Sequence, residues 1–517
     1  MKNKKLFKGV LIICAILIGL TGCSKEKESA AQKDGPKILK VRINADIKNL
    51  DPARRYSRWD DVISATIFDG LVSYKANSYD IENVLAEKFE ISEDGHEIYF
   101  KLREGVQFQK GAGEVTAEDV KFSYERFRDE KTASAYSDDW ANLDHVEVIS
   151  KYEGKIILTE PFAPLMRTTL PLNSGVIVPK NYIEKVGLDG FTTDVIGCGP
   201  YYIDEWQPDQ KVVVKKNPDY YGKAPYWDEI QFIVISDNQS AEIALQAGEV
   251  DFAEISTNTV DTFKDNPDFG ITSNSDLDYR WIGLNVENPK LQDVNVRKAI
   301  RAAANVPDMI TAAYNGMVEQ ETAIVAPGLL GYWADAPKYT QDLDKAKEYM
   351  AAAGIDSLDL EIAVADTSEY RVWAEVLQQN LKEIGINLEI NSMESGTFWE
   401  IGDGDKGKDV ELFAMAFQMQ PDPSWATMWF TSDQVGIWNW MRWANPEFDE
   451  LHKQGLSETD DQKRQVIYEK MQKLMDDDAV AIWVTNGKTY FAYNAKKCSP
   501  AMTPNNSLQF RFFSAAK

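Results

Sequence analysis

An α/β fold in two or three domains is predicted by three observations. At 517 residues the chain is longer than one hydrophobic core normally supports. From Arg297 to about Leu474, amphipathic helical stretches alternate with apolar strand-like runs such as 358–364 and 387–391, the rhythm of a sheet covered by helices. An apolar content of 44% and an aromatic content of 11% are those of a globular chain. The formal charge of −26 disfavours nucleic acid and anionic lipid as partners.

Residues 1–8 are basic and residues 9–20 are mostly apolar, too short a run to span a bilayer, so 1–22 reads as a secretion signal. It ends in Leu20-Thr21-Gly22-Cys23, which resembles the lipobox of bacterial lipoproteins, in which the cysteine thiol receives a diacylglycerol. Cys23 is therefore the expected lipidation site. The charged, small-residue segment 23–37 reads as a flexible tether, and the mature protein is expected outside the cytoplasm, held to the cell membrane by that lipid. The remaining cysteines outside the leader, Cys198 and Cys498, are either a disulfide or two distant core thiols.

Taken in order, residues 38–47 alternate as a first strand, and Asn49-Leu50-Asp51-Pro52 closes it with a turn. RRYSRWDD, 54–61, is read as a polar and aromatic loop before a helix at 62–71, and Tyr56, Arg58 and Trp59 in it are candidate ligand contacts. A strand at 97–102, a turn at 103–105 and a break at 111–113 follow. Thr116 then caps a helix running to about Arg128, with Asp119 placed to reciprocate the cap. A last helix at 461–476 carries Val466, Ile467, Met471, Leu474 and Met475 as an apolar stripe, read as core.

Five of the fourteen tryptophans, Trp425, Trp429, Trp438, Trp440 and Trp443, fall between Met415 and Trp443. Pro421, Pro423 and Gly436 break that stretch, so it is not one helix or strand. It is either a core where loops fold over a sheet, or the wall of a cleft in which aromatics act with polar groups such as Asp422 and Arg442.

Enzyme motifs are poor. His96, His145 and His452 lie far apart and read as surface residues, and neither HExxH nor Gly-x-Ser-x-Gly occurs. Gly402 to Gly407 fits GxGxxG by letter but precedes a strand-like segment at 410–417, and Asp403, Asp405 and Asp409 do not follow an EF-hand, so the region reads as a charged surface hairpin. No catalytic group, cofactor or metal is expected.

The segment LAEKFEISEDGHEIYFKLREGVQFQKGAGEVTAEDVKFSYERF, 85–127, resembles the signature of the peptide and nickel family of ABC-transporter solute-binding proteins, which includes the dipeptide- and oligopeptide-binding proteins. Gly197-Cys198-Gly199-Pro200-Tyr201, Asn217-Pro218-Asp219-Tyr220-Tyr221, Ala247-Gly248-Glu249-Val250-Asp251 and Val296-Arg297-Lys298-Ala299-Ile300 repeat the resemblance, which covers about 38–517. It implies a two-lobed α/β periplasmic-binding-protein-like fold (type II, cluster C) that closes on its solute by a hinge. Lobe I is then expected at 38–284 with an extra subdomain within about 65–180, lobe II at 285–487, and a return to lobe I at 488–517.

The resemblance also implies a monomeric receptor that delivers a small solute to ABC permease subunits with cytoplasmic ATPases. A solute sensor and an extracytoplasmic hydrolase are the rivals. Peptide binders of the family place an aspartate three residues before an acidic residue followed by proline; with Asp422-Pro423 as that pair, the position here is Met419. A thioether cannot pair with an ammonium, so the resemblance does not extend to capture of a free amino terminus at that position. Indoles stack on sugar rings and hold cations, and Arg58 or Arg442 suits a carboxylate. The expected solute is a peptide or peptide-like molecule, with a saccharide or glycoside as the alternative. The expected contacts are Tyr56, Arg58 and Trp59 on one side and Met419, Asp422, Trp425, Trp429, Trp438, Trp440 and Arg442 on the other.

Overall fold

Two sheets carry the two lobes, and the chain passes between them twice. The computed structural model describes residues 35–516, so the leader, Cys23 and nearly all of the tether lie outside the described residues. The first sheet has seven strands, in the order Phe269–Ser275, Lys488–Asn494, Phe252–Ile255, Ile38–Ile43, Glu229–Val234, Lys211–Lys216, Tyr201–Gln207. Ile38–Ile43 runs parallel to Glu229–Val234, with Ile38 opposite Glu229. Its Leu39, Val41 and Ile43 are fully buried, as alternation requires. Arg42 is buried among them because its Nε donates to Ile235 O at 2.7 Å and its Nη2 to Asn238 Oδ1 at 2.7 Å.

The second sheet has five strands, in the order Ile386–Met393, Leu358–Ala365, Leu412–Gln418, Asp278–Leu284, Ala481–Thr485. Asp278–Leu284 falls within the 38–284 expected for lobe I. It pairs antiparallel with Leu412–Gln418, Asp278 opposite Gln418, and also with Ala481–Thr485. Tyr279, Trp281, Ile282 and Leu284 enter the core of the second lobe, and that burial decides to which sheet the strand belongs. The crossovers are therefore residues 275–278 and 485–488. They lie side by side, Asp276 N donating to Gly487 O at 3.4 Å. Gly487 has φ +74°, and a Cβ there would stand 2.7 Å from Arg280 Nη2, so glycine is required at this turn.

A four-stranded sheet, Ala86–Ile91, Glu97–Leu102, Glu153–Leu158 and Leu143–Val148 in that order, forms a subdomain on the first lobe. It is braced against the second lobe: Ala163 N donates to Leu456 O at 2.8 Å and Arg167 pairs with Asp461 at 2.6 Å.

Several elements differ from expectation at their ends. The helix expected at 62–71 is Arg58–Ile67, because Ser57 caps it: Asp60 N donates to Ser57 Oγ at 3.2 Å and Ser57 N to Asp60 Oδ2 at 3.0 Å. The helix after Thr116 is Ala117–Glu125, followed by a 3-10 turn, Arg126–Arg128, with Asp119 accepting from Thr116 N at 2.9 Å. In Asp461–Asp477, Met471 and Met475 are buried but Val466 is 64% exposed. It stands about 100° before Ile467 on the helix and so misses the stripe. The expected hairpin at 402–407 is instead the turn between the helix Ser395–Ile401 and the 3-10 turn Lys406–Lys408. Cys198 lies in the subdomain core and Cys498 in the first-lobe core as free thiols, so they form no disulfide. Burial pushes the Cys498 thiol up to about 12.

Candidate ligand-binding site

A cavity of about 370 Å³ lies beside the first crossover, where Leu277, Gln420, Pro421 and Trp425 face the first lobe. Its size suits a small organic solute. Helix Arg58–Ile67 turns Asp61, Val62, Ala65 and Thr66 toward it. Tyr74 and Tyr79, ring centroids 5.0 Å apart and edge to face, form an aromatic wall packed against second-lobe core residues. Tyr79 also lines a second cavity of about 440 Å³ between the subdomain and helix Asp461–Asp477, with Lys75, Asp80, Arg167 and Asp461 in its wall.

Five charged side chains reach the first cavity: Arg55, Asp61, Asp69, Asp139 and Arg511. Arg511 Nη2 donates to Asp69 Oδ1 at 2.6 Å and also to Ala65 O and Phe68 O, and the other Asp69 oxygen accepts from the Tyr221 hydroxyl at 2.8 Å. Arg55 is 8% exposed and shared. Its Nε lies 2.6 Å from Asp61 Oδ1, its Nη2 3.6 Å from Asp139 Oδ2, and its Nη1 donates to Pro52 O at 2.6 Å. The guanidinium lies 3.4 Å from the centroid of the Tyr136 ring, a cation–π contact. Asp61 also accepts from Asn173 Nδ2 at 2.9 Å, and Asp139 from the Ser174 hydroxyl. Burial raises both carboxyls above the ordinary carboxylate range, against the opposing pull of Arg55 and these hydrogen bonds.

The expected contact residues divide into three groups. Trp425 lines the cavity. From it an edge-to-face strip continues to Trp429 at 6.3 Å, Trp438 at 5.7 Å and Trp399 at 6.3 Å, with Trp438 41% and Trp399 39% exposed. Tyr56 stands in solvent at 83% exposure, and Arg58 pairs with Glu254 at 3.1 Å.

The rest are structural, which corrects the sequence expectation. Trp59 is buried with its Nε1 donating to Asn44 Oδ1 at 2.6 Å, and Met419 is buried in the second-lobe core. Trp440 packs on Phe398 and Phe413 with Gly402 beneath it, where a Cβ would come within 1.9 Å of the indole. Trp443, not among the expected contacts, likewise packs on Phe448 and donates to Asp478 Oδ2 at 2.7 Å. Arg442 is committed to Glu287 at 2.6 Å and Gly404 O at 3.0 Å, and Asp422 is wholly buried against Arg464. Charges removed from water keep their partners, so neither Arg442 nor Asp422 is free for a solute.

His452, expected at the surface, is packed against the short helix Ser424–Thr427, its Nδ1 2.9 Å from Thr427 Oγ1. Burial lowers it to about 4. His145 is exposed beside Asp144, and His96 is half-buried. Among the described residues no group of three or more His, Cys, Asp and Glu is placed to hold a metal, and no helix is long and apolar enough to cross a membrane.

Sequence reasoning missed Arg55, Asp61, Tyr74, Tyr79, Asp139 and Arg511. Arg55 and Asp61 stand inside RRYSRWDD, so that stretch is the available signal, although its members that line the cavity are not Tyr56, Arg58 or Trp59. The others carry no local pattern.

The description "Bacterial extracellular solute-binding proteins, family 5 Middle" matches residues 80–437. The chain is 26% identical over 478 residues to the "Probable D,D-dipeptide-binding periplasmic protein DdpA" of Escherichia coli, covering 90% of this chain and 91% of that one. It is 25% identical over 458 residues to the dipeptide-binding protein of Escherichia coli, covering 83% and 85%. Among solved structures, HbpA2 from Haemophilus parasuis superposes with a TM-score of 0.85 at 25% identity, over 92% of this chain and 99% of that one.

Proposed function

The chain belongs to family 5 of the bacterial extracellular solute-binding proteins, and from that premise we propose that it is the receptor of an ABC importer, taking a peptide or peptide-like solute between its lobes and handing it unchanged to the permease. The observation that carries this reading is the cavity beside the crossovers, with walls from both lobes. A solute that touches Asp61 on one side and Trp425 on the other gains contacts only when the lobes are together. Those differential contacts favour the closed form that docks on a permease. Short crossovers at 275–278 and 485–488 suit a hinge.

The names of the two relatives favour a dipeptide-like solute. The indole strip from Trp429 to Trp399, exposed at Trp438 and Trp399, supports a second reading, a saccharide or glycoside stacked on flat aromatic faces. Lipid anchoring at Cys23 rests on the leader and the lipobox-like run before it. The receptor acts as a monomer without a cofactor.

A thermal-shift screen of di- and tripeptides against mono- and disaccharides tests the solute class. Peptides are expected to raise the melting temperature. Stabilisation by saccharides alone would replace the first reading with the second, and no stabilisation by either would remove both. Anchoring is tested in cells: Cys23→Ala is expected to release the protein from the membrane fraction.

A further inference from the structure

The cavity's charges do not balance. Its two arginines face three aspartates, and the second-lobe side of the wall, Leu277, Gln420, Pro421 and Trp425, carries no charge. One pair is already formed, Arg511 Nη2 with Asp69 Oδ1, while Asp69 Oδ2 accepts from Tyr221. The remaining cation, Arg55, is divided between Asp61 and Asp139 while its face is covered by Tyr136 and its Nη1 is spent on Pro52 O. Both the Arg55 contact and the Asn173 hydrogen bond fall on Asp61 Oδ1. The carboxylate is 41% exposed, and its Oδ2 has no hydrogen-bond partner among the described residues. On the same wall the Tyr79 hydroxyl, in a residue 7% exposed, makes no hydrogen bond of normal geometry, the Thr503 hydroxyl being beside it.

Resting on the reading that solute binds in this cavity, we propose that Asp61, with Asp139 and Arg55 behind it, is the counter-ion for an ammonium group of the solute, so that the receptor selects cationic or zwitterionic solutes with their positive end turned to the first lobe. Trp425 lies across the cavity from it as a flat apolar face for the rest of the molecule. An ammonium beside Asp61 supplies the missing positive charge and a charge-assisted hydrogen bond to an oxygen that has none. A carboxylate placed there would meet two like charges and a single, already committed guanidinium. The arrangement also accounts for Met419. The second lobe has a buried thioether where a peptide ammonium would need a carboxylate, and the first lobe provides that carboxylate instead.

The test uses matched pairs on the unaltered protein, read by calorimetric titration: alanyl-phenylalanine against its N-acetyl derivative, and glucosamine against N-acetylglucosamine. At least one free amine is expected to bind roughly tenfold or more tighter than its acetylated twin, the discrimination typical of a charge-assisted contact. Asp61→Asn is expected to abolish that difference. Asp139→Asn, which leaves Asp61 in place, is expected to reduce it only in part. Preference for glucosamine alone would sustain the proposal while removing the peptide reading. Equal binding within both pairs, tighter binding of the acetylated forms, an amine preference that survives Asp61→Asn, or no binding by any of the four overturns it.

Discussion

Asp422 and Arg464 close a two-point ion pair wholly inside the second lobe, Nη2 to Oδ1 at 2.9 Å and Nη1 to Oδ2 at 2.8 Å. The pair ties the aromatic loop to helix Asp461–Asp477, which is why an aspartate that sequence alone offers as a ligand contact is a strut. Asp422→Ala leaves a guanidinium buried without its partner and is expected to cost about 3–5 kcal/mol of stability. Urea denaturation reads this directly, and the folded fraction is expected to bind solute with unchanged affinity.

Two tryptophans in the same loop separate binding from folding. Trp440 is 2% exposed and Trp425 lines the cavity. Trp440→Ala is expected to destabilise by about 3–5 kcal/mol, the usual cost of emptying a core aromatic site. Trp425→Ala is expected to weaken solute binding by roughly tenfold or more with a smaller loss of stability, as for an aromatic contact residue. Thermal melts with and without solute compare the two.

His452 sets a pH dependence of known sign. Burial holds it at about 4 when folded against 6.5 when exposed. The unfolded chain therefore binds the proton first, and the contribution of this residue to stability falls as pH drops from about 6.5 to about 4. The full loss is on the order of 3 kcal/mol at the acid end. His452→Gln, which keeps a partner for Thr427 Oγ1, is expected to flatten that part of the stability profile.

Glu321 acts in the opposite direction. It is buried behind the strand Ala481–Thr485 near Arg301 and Tyr339, and burial raises its carboxyl to about 8, with Glu319 adding to the shift and Lys338 opposing it. The folded state holds the proton longer than the unfolded one, so stability falls as pH rises from about 4.5 to about 8. Glu321→Gln is expected to raise the melting temperature at pH 8 to 9 and to change it little at pH 5. Melts across that range decide the point.

Period and capping made much of the fold legible. Glu97–Leu102 and Leu358–Ala365 were readable from apolar spacing, and the helix after Thr116 from its reciprocal cap. The lobe boundary was not, because Asp278–Leu284 has a strand pattern that fits either sheet and only its long-range partners assign it. The site was legible as a stretch and not as residues. Which members of 54–61 meet the cavity depends on how helix Arg58–Ile67 is rotated, and it turns Asp61 outward and Trp59 inward to Asn44. Asp139 and Arg511 come from distant segments with no pattern of their own, and the indoles look alike in sequence although Trp440 is core and Trp425 is wall.

The central claim is that one solute bridges Asp61 and Trp425. A crystal structure of the protein with its tightest-binding solute from the matched pairs tests it most directly. The expected result is solute density across the cavity, a positive group within hydrogen-bond distance of Asp61 Oδ2 and an apolar portion against the Trp425 indole. Density confined to the outer strip at Trp438 and Trp399, with that cavity holding only water, would contradict the account.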